Sequence, residues 1–247
     1  MKEFSLRSFE AILFDLDSTL TDTQSYPLRA SEWLLAKYSD TPEELMASYV
    51  MTLVRNYRLE LKEVAESGNY RTPVQVVKDA IRTTLVELDL DFSEDLLEKA
   101  SQIFKRLHID LSRKMPSVES LLESIQSYGI KMGIVTNSFE GHADKILKTL
   151  ELDRFFYVVV DGSDIRAFKP ESAPFKYALD KLGAKPENSV MIGDEFFNDM
   201  VGAKSIGLNT VWINHRKQSI KEMLEKYGQS SAPDLIIESL LELESYI

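Results

Sequence analysis

The spacing of apolar residues changes along the chain and separates two kinds of structure. Between about residues 24 and 113, apolar side chains recur every three or four positions, as they do on one face of an α-helix. Within this stretch, Thr41-Pro42-Glu43-Glu44 and Thr72-Pro73-Val74-Gln75 each combine an N-cap threonine, a proline at the first helical position and Glu or Gln three residues after the cap. A helical pattern precedes the first of these starts, and Ser93 begins another helix after the second. The pattern therefore predicts four helices packed as a small bundle.

After Pro116 the pattern changes to amphipathic helices that alternate with short apolar strands. The predicted strands are 130–138, 156–162, 189–195, 209–214 and 233–237. An apolar strand also opens the chain at 11–17, before the helical stretch. Because apolar strands that alternate with helices are typical of a parallel sheet covered on both faces, we predict an α/β fold. Its sheet core would comprise residues 1–22 and 114–247, with the helical domain of residues 23–113 inserted into it.

The composition limits the class of protein. The 247 residues, 44% of them hydrophobic, are enough to form a packed core. The 40 Asp and Glu residues outnumber the 29 Lys and Arg residues, and the net charge of −11 repels nucleic acid and anionic lipid at long range. Because there is no cysteine, disulfides, thiolate catalysis and Cys-type zinc sites are excluded. No apolar run approaches the length of a membrane span, so we expect a cytoplasmic, soluble protein.

Polar side chains suited to phosphate chemistry follow several of the predicted strands. Asp15 and Asp17 lie two residues apart at the end of the first strand, where they share a face and repel each other unless a cation or a proton separates them. The other candidates are Thr136 and Asn137 after the second strand, Lys169 before a later helix, and Asp194 and Asp199 after the fourth strand. The carboxyl ends of parallel strands meet at one edge of a sheet. Carboxylate ligands for a hard cation, an ammonium group and a carboxylate free to attack phosphorus together indicate Mg²⁺-assisted phosphoryl transfer.

The same residues lie in four segments that resemble the motifs of a known family. The segments are FDLDSTLTD (14–22), IVTNS (134–138), FKP (168–170) and GDEFFND (193–199), and they resemble the four motifs of haloacid dehalogenase superfamily phosphatases. The resemblance extends over nearly the whole predicted core. It implies a Rossmann-like parallel-sheet core, and it places the inserted helical domain where the cap domain of that superfamily lies.

The resemblance also implies a role for each motif residue. Asp15 would be the nucleophile that forms an aspartyl-phosphate, and Asp17 would be the general acid for the leaving oxygen and then the base for water. Thr136 and the amide of Asn137 would hold phosphate oxygens, while Lys169 would offset the negative charge. The ligands of Mg²⁺ would be Asp15, the main-chain carbonyl of Asp17, Asp194 and, through water or Lys169, Asp199.

Two core residues depart from the commonest family pattern, and two cap residues are candidates for substrate binding. Ser18 occupies a position that is usually glycine, so the backbone there must tolerate a side chain. Glu195 follows Asp194 where a small polar residue is frequent, which bears on metal affinity. Arg71, in a loop between two cap helices, is either an exposed turn residue or a partner for an anionic group of the substrate. In the second case, Tyr70 beside it would exclude water.

The predicted activity is Mg²⁺-dependent hydrolysis of a small organic phosphate, such as phosphoglycolate or a triose phosphate. A β-phosphoglucomutase-like phosphotransferase uses the same catalytic groups and stays open as an alternative. A 2-haloacid dehalogenase would lack the second carboxylate, Asp17, because a halide leaving group needs no proton. A receiver-type signalling domain unites similar residues around Mg²⁺, but it is about half this length. A catalytically inactive scaffold would lack a motif residue, and none is missing.

Overall fold

The computed structural model describes residues 4–38 and 42–247, so the capping box predicted at Thr41 lies outside the described residues. The chain divides into two compact units. One comprises Met1–Asp22 and Lys114–Ile247, and the other comprises Thr23–Arg113. The second unit therefore interrupts the sequence of the first, as an inserted domain does.

The inserted unit is helical. Its helices are α1 (Ser25–Leu35), α2 (Pro42–Ser67), α3 (Pro73–Glu87) and α4 (Glu94–Leu111). At the start of α3, Thr72 Oγ1 accepts a hydrogen bond from the N–H of Gln75 while Gln75 Oε1 accepts one from the N–H of Thr72, which is the predicted capping box. Ser93 caps α4 by accepting from the N–H of Leu96. In the two described ranges of the chain, no helix combines the length and the apolar character needed to cross a membrane.

The other unit is built on a parallel sheet of six strands. In chain order the strands of the protein are β1 (Ala11–Phe14), β2 (Thr21–Asp22), β3 (Arg113–Lys114), β4 (Lys131–Thr136), β5 (Val158–Asp161), β6 (Ser189–Gly193), β7 (Asn209–Ile213) and β8 (Leu235–Ile237). The sheet has the order β5-β4-β1-β6-β7-β8, and β2 pairs separately with β3. β1 is central, and the strand order reverses beside it, which is where open α/β sheets bind ligands. The predicted α/β fold with a Rossmann-like parallel sheet is confirmed.

Helices pack the apolar side chains of this sheet into a core. The helices are α5 (Val118–Ser127), α6 (His142–Thr149), α7 (Gly162–Ile165), α8 (Ser172–Leu182), α9 (Gly202–Lys204) and α10 (Ile220–Tyr227). Phe175 and Leu179 of α8 pack with Leu13 of β1 and Met191 of β6, and all four are buried. All side chains of β1 are buried, which explains why this strand reads as a continuous apolar run.

The first strand is shorter than the sequence predicts. β1 ends at Phe14, although Asp15 still donates its N–H to the carbonyl oxygen of Ile192 in β6. The chain then turns back, because the N–H of Thr21 donates to the carbonyl oxygen of Leu16. Asp17 therefore lies in this turn rather than in the strand, and its charge still raises the pKa of Asp15, as expected for two neighbouring carboxylates. The next residue, Ser18, has a φ of 62°, the left-handed conformation that glycine adopts most easily.

Candidate active site

The turn after β1 fixes the first carboxylate of the site. Asp15 is buried, and its Oδ2 accepts a hydrogen bond from Thr19 Oγ1 at 3.3 Å. Its N–H donates to the carbonyl oxygen of Ile192 at 2.9 Å. The side chain is therefore held at the carboxyl end of the central strand, where the predicted nucleophile was expected to lie.

Lys169 joins two carboxylates that are far apart in the sequence. Its Nζ lies 2.6 Å from Asp15 Oδ1 and 2.6 Å from Asp199 Oδ1, and only 3% of its side chain is exposed. Asn137 fixes the backbone of this lysine, since its Oδ1 accepts from the Lys169 N–H at 2.8 Å and its Nδ2 donates to the Lys169 carbonyl oxygen at 2.9 Å. A buried ammonium group is very costly unless it is paired, so the two ion pairs keep a charged lysine in the interior.

The segment after β6 brings Asp199 to Lys169. Gly193 ends the strand, and a Cβ at this position would overlap the Asp199 carboxylate, so only glycine fits. The chain then forms a π-helix over Phe196–Val201, a rare geometry that is frequent at functional sites. Asp199 Oδ2 accepts a hydrogen bond from the N–H of Glu195 at 3.0 Å. Asp199 is fully buried, and its other oxygen, Oδ1, faces the ammonium group of Lys169.

Asp194 is held by two residues that the sequence analysis missed. Trp212 Nε1 donates to the main-chain carbonyl oxygen of Asp194 at 3.0 Å. Arg216 donates from Nη2 to Asp194 Oδ2 at 2.8 Å and from Nη1 to Glu195 Oε1 at 2.6 Å. Arg216 comes three residues after the end of β7, and this position at the carboxyl end of a strand is the sequence signal that could have indicated it.

Three buried carboxylates form a group that fits a metal ion. Asp15, Asp194 and Asp199 each offer one oxygen, and these oxygens lie within 4.8 Å of one another. Asp194 Oδ1 is buried and has no hydrogen-bond partner among the described residues. Leaving a buried carboxylate oxygen unsatisfied is costly, and Mg²⁺ prefers oxygen ligands of this kind. The donor set therefore suits a hard divalent cation.

Burial and charge shift the ionisation of this group. Burial raises the pKa of Asp15 to about 7, although the Lys169 ammonium acts in the opposite direction. Burial also raises the pKa of Asp194 well above its ordinary value, and the neighbouring Asp15 raises it further. Burial alone would lower the pKa of Lys169, but the carboxylates of Asp15 and Asp199 outweigh it and raise that pKa. The lysine is thus charged, and the carboxylates need further positive charge to ionise together.

The remaining predicted residues of the core lie at the ends of the same strands. Thr136 is the last residue of β4 and is buried. Asn137 follows it, and both polar atoms of its side chain bind the main chain of Lys169. Asp17 is half-buried in the turn after β1, and its carboxylate does not belong to the buried group of three. Its predicted role as a proton donor and acceptor stays a prediction.

In the helical unit, Arg71 has partners of its own. Its Nη1 lies 2.7 Å from Glu60 Oε2 and 3.0 Å from Asp79 Oδ2, and its Nη2 lies 3.1 Å from Glu63 Oε2. These pairs connect the loop to α2 and α3. The guanidinium thus has a structural role within the unit, whereas the predicted roles of Arg71 and Tyr70 toward a substrate stay predictions.

The sequence of this chain is similar to those of known proteins. The family model for haloacid dehalogenase-like hydrolases matches residues 12–213. The pyrophosphatase PpaX of Bacillus mycoides (strain KBAB4) is 27% identical over 232 residues, covering 94% of each chain. The glyceraldehyde 3-phosphate phosphatase of Methanothermobacter thermautotrophicus is 27% identical over 224 residues, covering 89% of this chain and 92% of the relative.

A solved structure shows the same fold at lower identity. The L-2-haloacid dehalogenase from Xanthobacter autotrophicus has a TM-score of 0.74 and 20% identity, covering 96% of this chain and 97% of that one. The family model spans most of the sequence. The predicted resemblance is therefore confirmed, and this chain belongs to the haloacid dehalogenase-like hydrolase family.

Proposed function

We propose that this protein is a Mg²⁺-dependent phosphatase that hydrolyses a small organic phosphate of the phosphoglycolate or triose-phosphate kind. The observation that carries the proposal is the buried Lys169 ammonium, 2.6 Å from both Asp15 and Asp199 in a group of three carboxylates. A fixed cation beside a potential nucleophile is what transfer of a phosphate dianion requires. The two relatives, named as a pyrophosphatase and a glyceraldehyde 3-phosphate phosphatase, support phosphate hydrolysis.

The proposed reaction begins at Asp15. Its carboxylate attacks phosphorus, forming an aspartyl-phosphate as the bond from phosphorus to the leaving oxygen breaks. Asp17 gives its proton to that oxygen. In the second step Asp17 takes a proton from water, whose oxygen attacks phosphorus and releases Asp15 and inorganic phosphate. The same residue thus serves first as acid and then as base.

Other residues bind and neutralise the phosphate. Thr136 and the main-chain N–H of Asn137 would donate to its oxygens, while Lys169 offsets charge on Asp15 and the phosphate. The side chain of Asn137 positions Lys169 rather than the phosphate, because both of its polar atoms bind the lysine backbone. Mg²⁺, held by Asp15, Asp194 and the main-chain carbonyl of Asp17, would neutralise charge that develops on the phosphate oxygens.

Phosphate release from a panel of phosphomonoesters, with pyrophosphate included, tests the proposal. We expect turnover of at least one small organic phosphate in the presence of Mg²⁺, complete loss in excess EDTA and recovery when Mg²⁺ is restored. Activity that is undiminished in excess EDTA would contradict the metal requirement. A β-phosphoglucomutase-like enzyme would instead convert a sugar phosphate into its isomer without net phosphate release and would depend on a bisphosphate activator.

Lys169→Ala is expected to lower kcat/KM for the preferred substrate by at least about 10²-fold, equivalent to about 2.7 kcal/mol. The substitution leaves the buried carboxylates of Asp15 and Asp199 without their common counter-charge next to an anionic substrate. Steady-state kinetics at saturating Mg²⁺ measure the change.

The matched control is Lys204→Ala, which removes a lysine with an equally short ion pair, 2.6 Å from Asp234, elsewhere in the same unit. We expect that variant to retain wild-type kinetics. A loss of less than threefold in Lys169→Ala would place this lysine outside the reaction.

A further inference from the structure

We propose that Arg216 is a positioning residue that holds Asp194 in the orientation needed to bind the metal ion. The inference rests on the proposed metal site. Arg216 uses the two ends of one guanidinium to bind Asp194 Oδ2 at 2.8 Å and Glu195 Oε1 at 2.6 Å. Because this planar fork is also held by Glu195 at its other end, it presents one donor to Asp194 in a fixed orientation.

The two oxygens of the Asp194 carboxylate differ in their hydrogen bonding. Oδ2 is occupied by Arg216, whereas Oδ1 is buried and has no hydrogen-bond partner in the part of the chain that the structure describes. The main chain of Asp194 is fixed as well, because its carbonyl oxygen accepts from Trp212 Nε1. Oδ1 is therefore the atom left to ligate a metal, and Arg216 prevents the carboxylate from rotating away from it.

The charge of Arg216 would by itself repel a metal ion, but Glu195 compensates for it. The Arg216–Glu195 pair is neutral as a unit, so its net effect on the field at Asp194 is smaller than that of either residue alone. This pairing also accounts for the acidic side chain of Glu195 next to Asp194. What the pair contributes to metal binding is then mainly the orienting hydrogen bond to Oδ2.

A charge-neutral double substitution isolates this contribution. In Glu195→Gln/Arg216→Gln, both charges are removed together, so the net charge of the protein is unchanged while Asp194 loses its guanidinium partner. Isothermal titration of the metal-free protein with Mg²⁺ should give a Kd at least about 10-fold higher than that of the wild type. Arg216→Lys keeps the charge but loses the fork, and its Kd should rise at least about threefold.

The control is Glu119→Gln/Arg154→Gln, which removes another ion pair of 2.6 Å from the same unit without changing net charge. We expect this control to keep the wild-type Kd, and thermal unfolding without metal identifies any variant that is not folded. If the parent protein binds Mg²⁺ and both Arg216 variants bind it with the wild-type Kd, the positioning role of Arg216 is overturned while the proposed metal site stands. Failure of the parent protein to bind Mg²⁺ would overturn the metal site itself and the inference with it.

Discussion

Asp15→Asn is expected to reduce turnover by at least about 10⁴-fold and to leave no covalent phosphate on the protein. An amide is a poor nucleophile, so the first step of the proposed reaction cannot occur. Asparagine has nearly the same shape as aspartate: its one oxygen can still accept from Lys169 Nζ, and its NH2 group can donate to Thr19 Oγ1, since a hydroxyl group can also accept. The loss would therefore reflect chemistry rather than a rearranged site.

Rapid-quench labelling with a substrate that carries radioactive phosphate measures the intermediate directly. Asp161→Asn is a suitable control, since Asp161 is another carboxylate at the end of a strand and is as buried as Asp15, each being 6% exposed. Asp161 instead caps α7 and accepts from the N–H of Gly141. We expect that variant to form the phosphoenzyme. Label that remains on the peptide containing position 15 in Asp15→Asn would exclude Asp15 as the nucleophile.

Asp17→Asn is expected to slow steady-state turnover by roughly 10²–10⁴-fold, because an amide can neither donate the proton for the leaving oxygen nor accept one from water. The two steps should respond differently to the substrate. An aryl phosphate with a good leaving group needs little protonation, so its phosphoenzyme should still form. Hydrolysis of that intermediate still needs the base, so the labelled phosphoenzyme should accumulate in this variant.

A pre-steady-state burst of aryl alcohol, followed by very slow turnover, would be the kinetic signature of Asp17→Asn. Asp22→Asn provides the comparison, since Asp22 is an exposed carboxylate five residues further along the same segment. We expect Asp22→Asn to behave as the wild type does. If Asp17→Asn lowers the rates of both steps less than about threefold, the acid–base role belongs to another residue.

Much of the secondary structure could be predicted from the sequence because its causes are local. The start of α3 depends on Thr72, Pro73 and Gln75, which lie within four residues of one another and form the predicted cap. The apolar strands are recognisable because parallel strands are buried on both faces. The end of β1 was predicted less well, since hydrogen bonds from Ser18 and Thr21, rather than the apolar run, determine where the strand stops.

The candidate site was predicted in part. Asp15, Lys169 and Asp199 were identified from their order and from the elements that precede them, and the structure brings these three together. Arg216 was missed because it belongs to no motif, and only its position after β7 could have indicated it. Its contact with Asp194 arises from the neighbouring positions of β6 and β7 in the sheet. The ion pairs of Arg71 were missed as well, because its partners in α2 and α3 come together only when these two helices pack.

The sequence by itself determined the helices and strands, their order and the inserted helical segment, because helix caps and apolar periodicity act between near neighbours in the chain. It also determined which polar residues follow the strands. Only the tertiary structure decided which carboxylates share a cation. Asp15 and Lys169 are 154 residues apart in sequence, yet their charged atoms are 2.6 Å apart. The energy of that pair depends on distance and burial, which exist only after β1, β4 and β6 have assembled into one sheet.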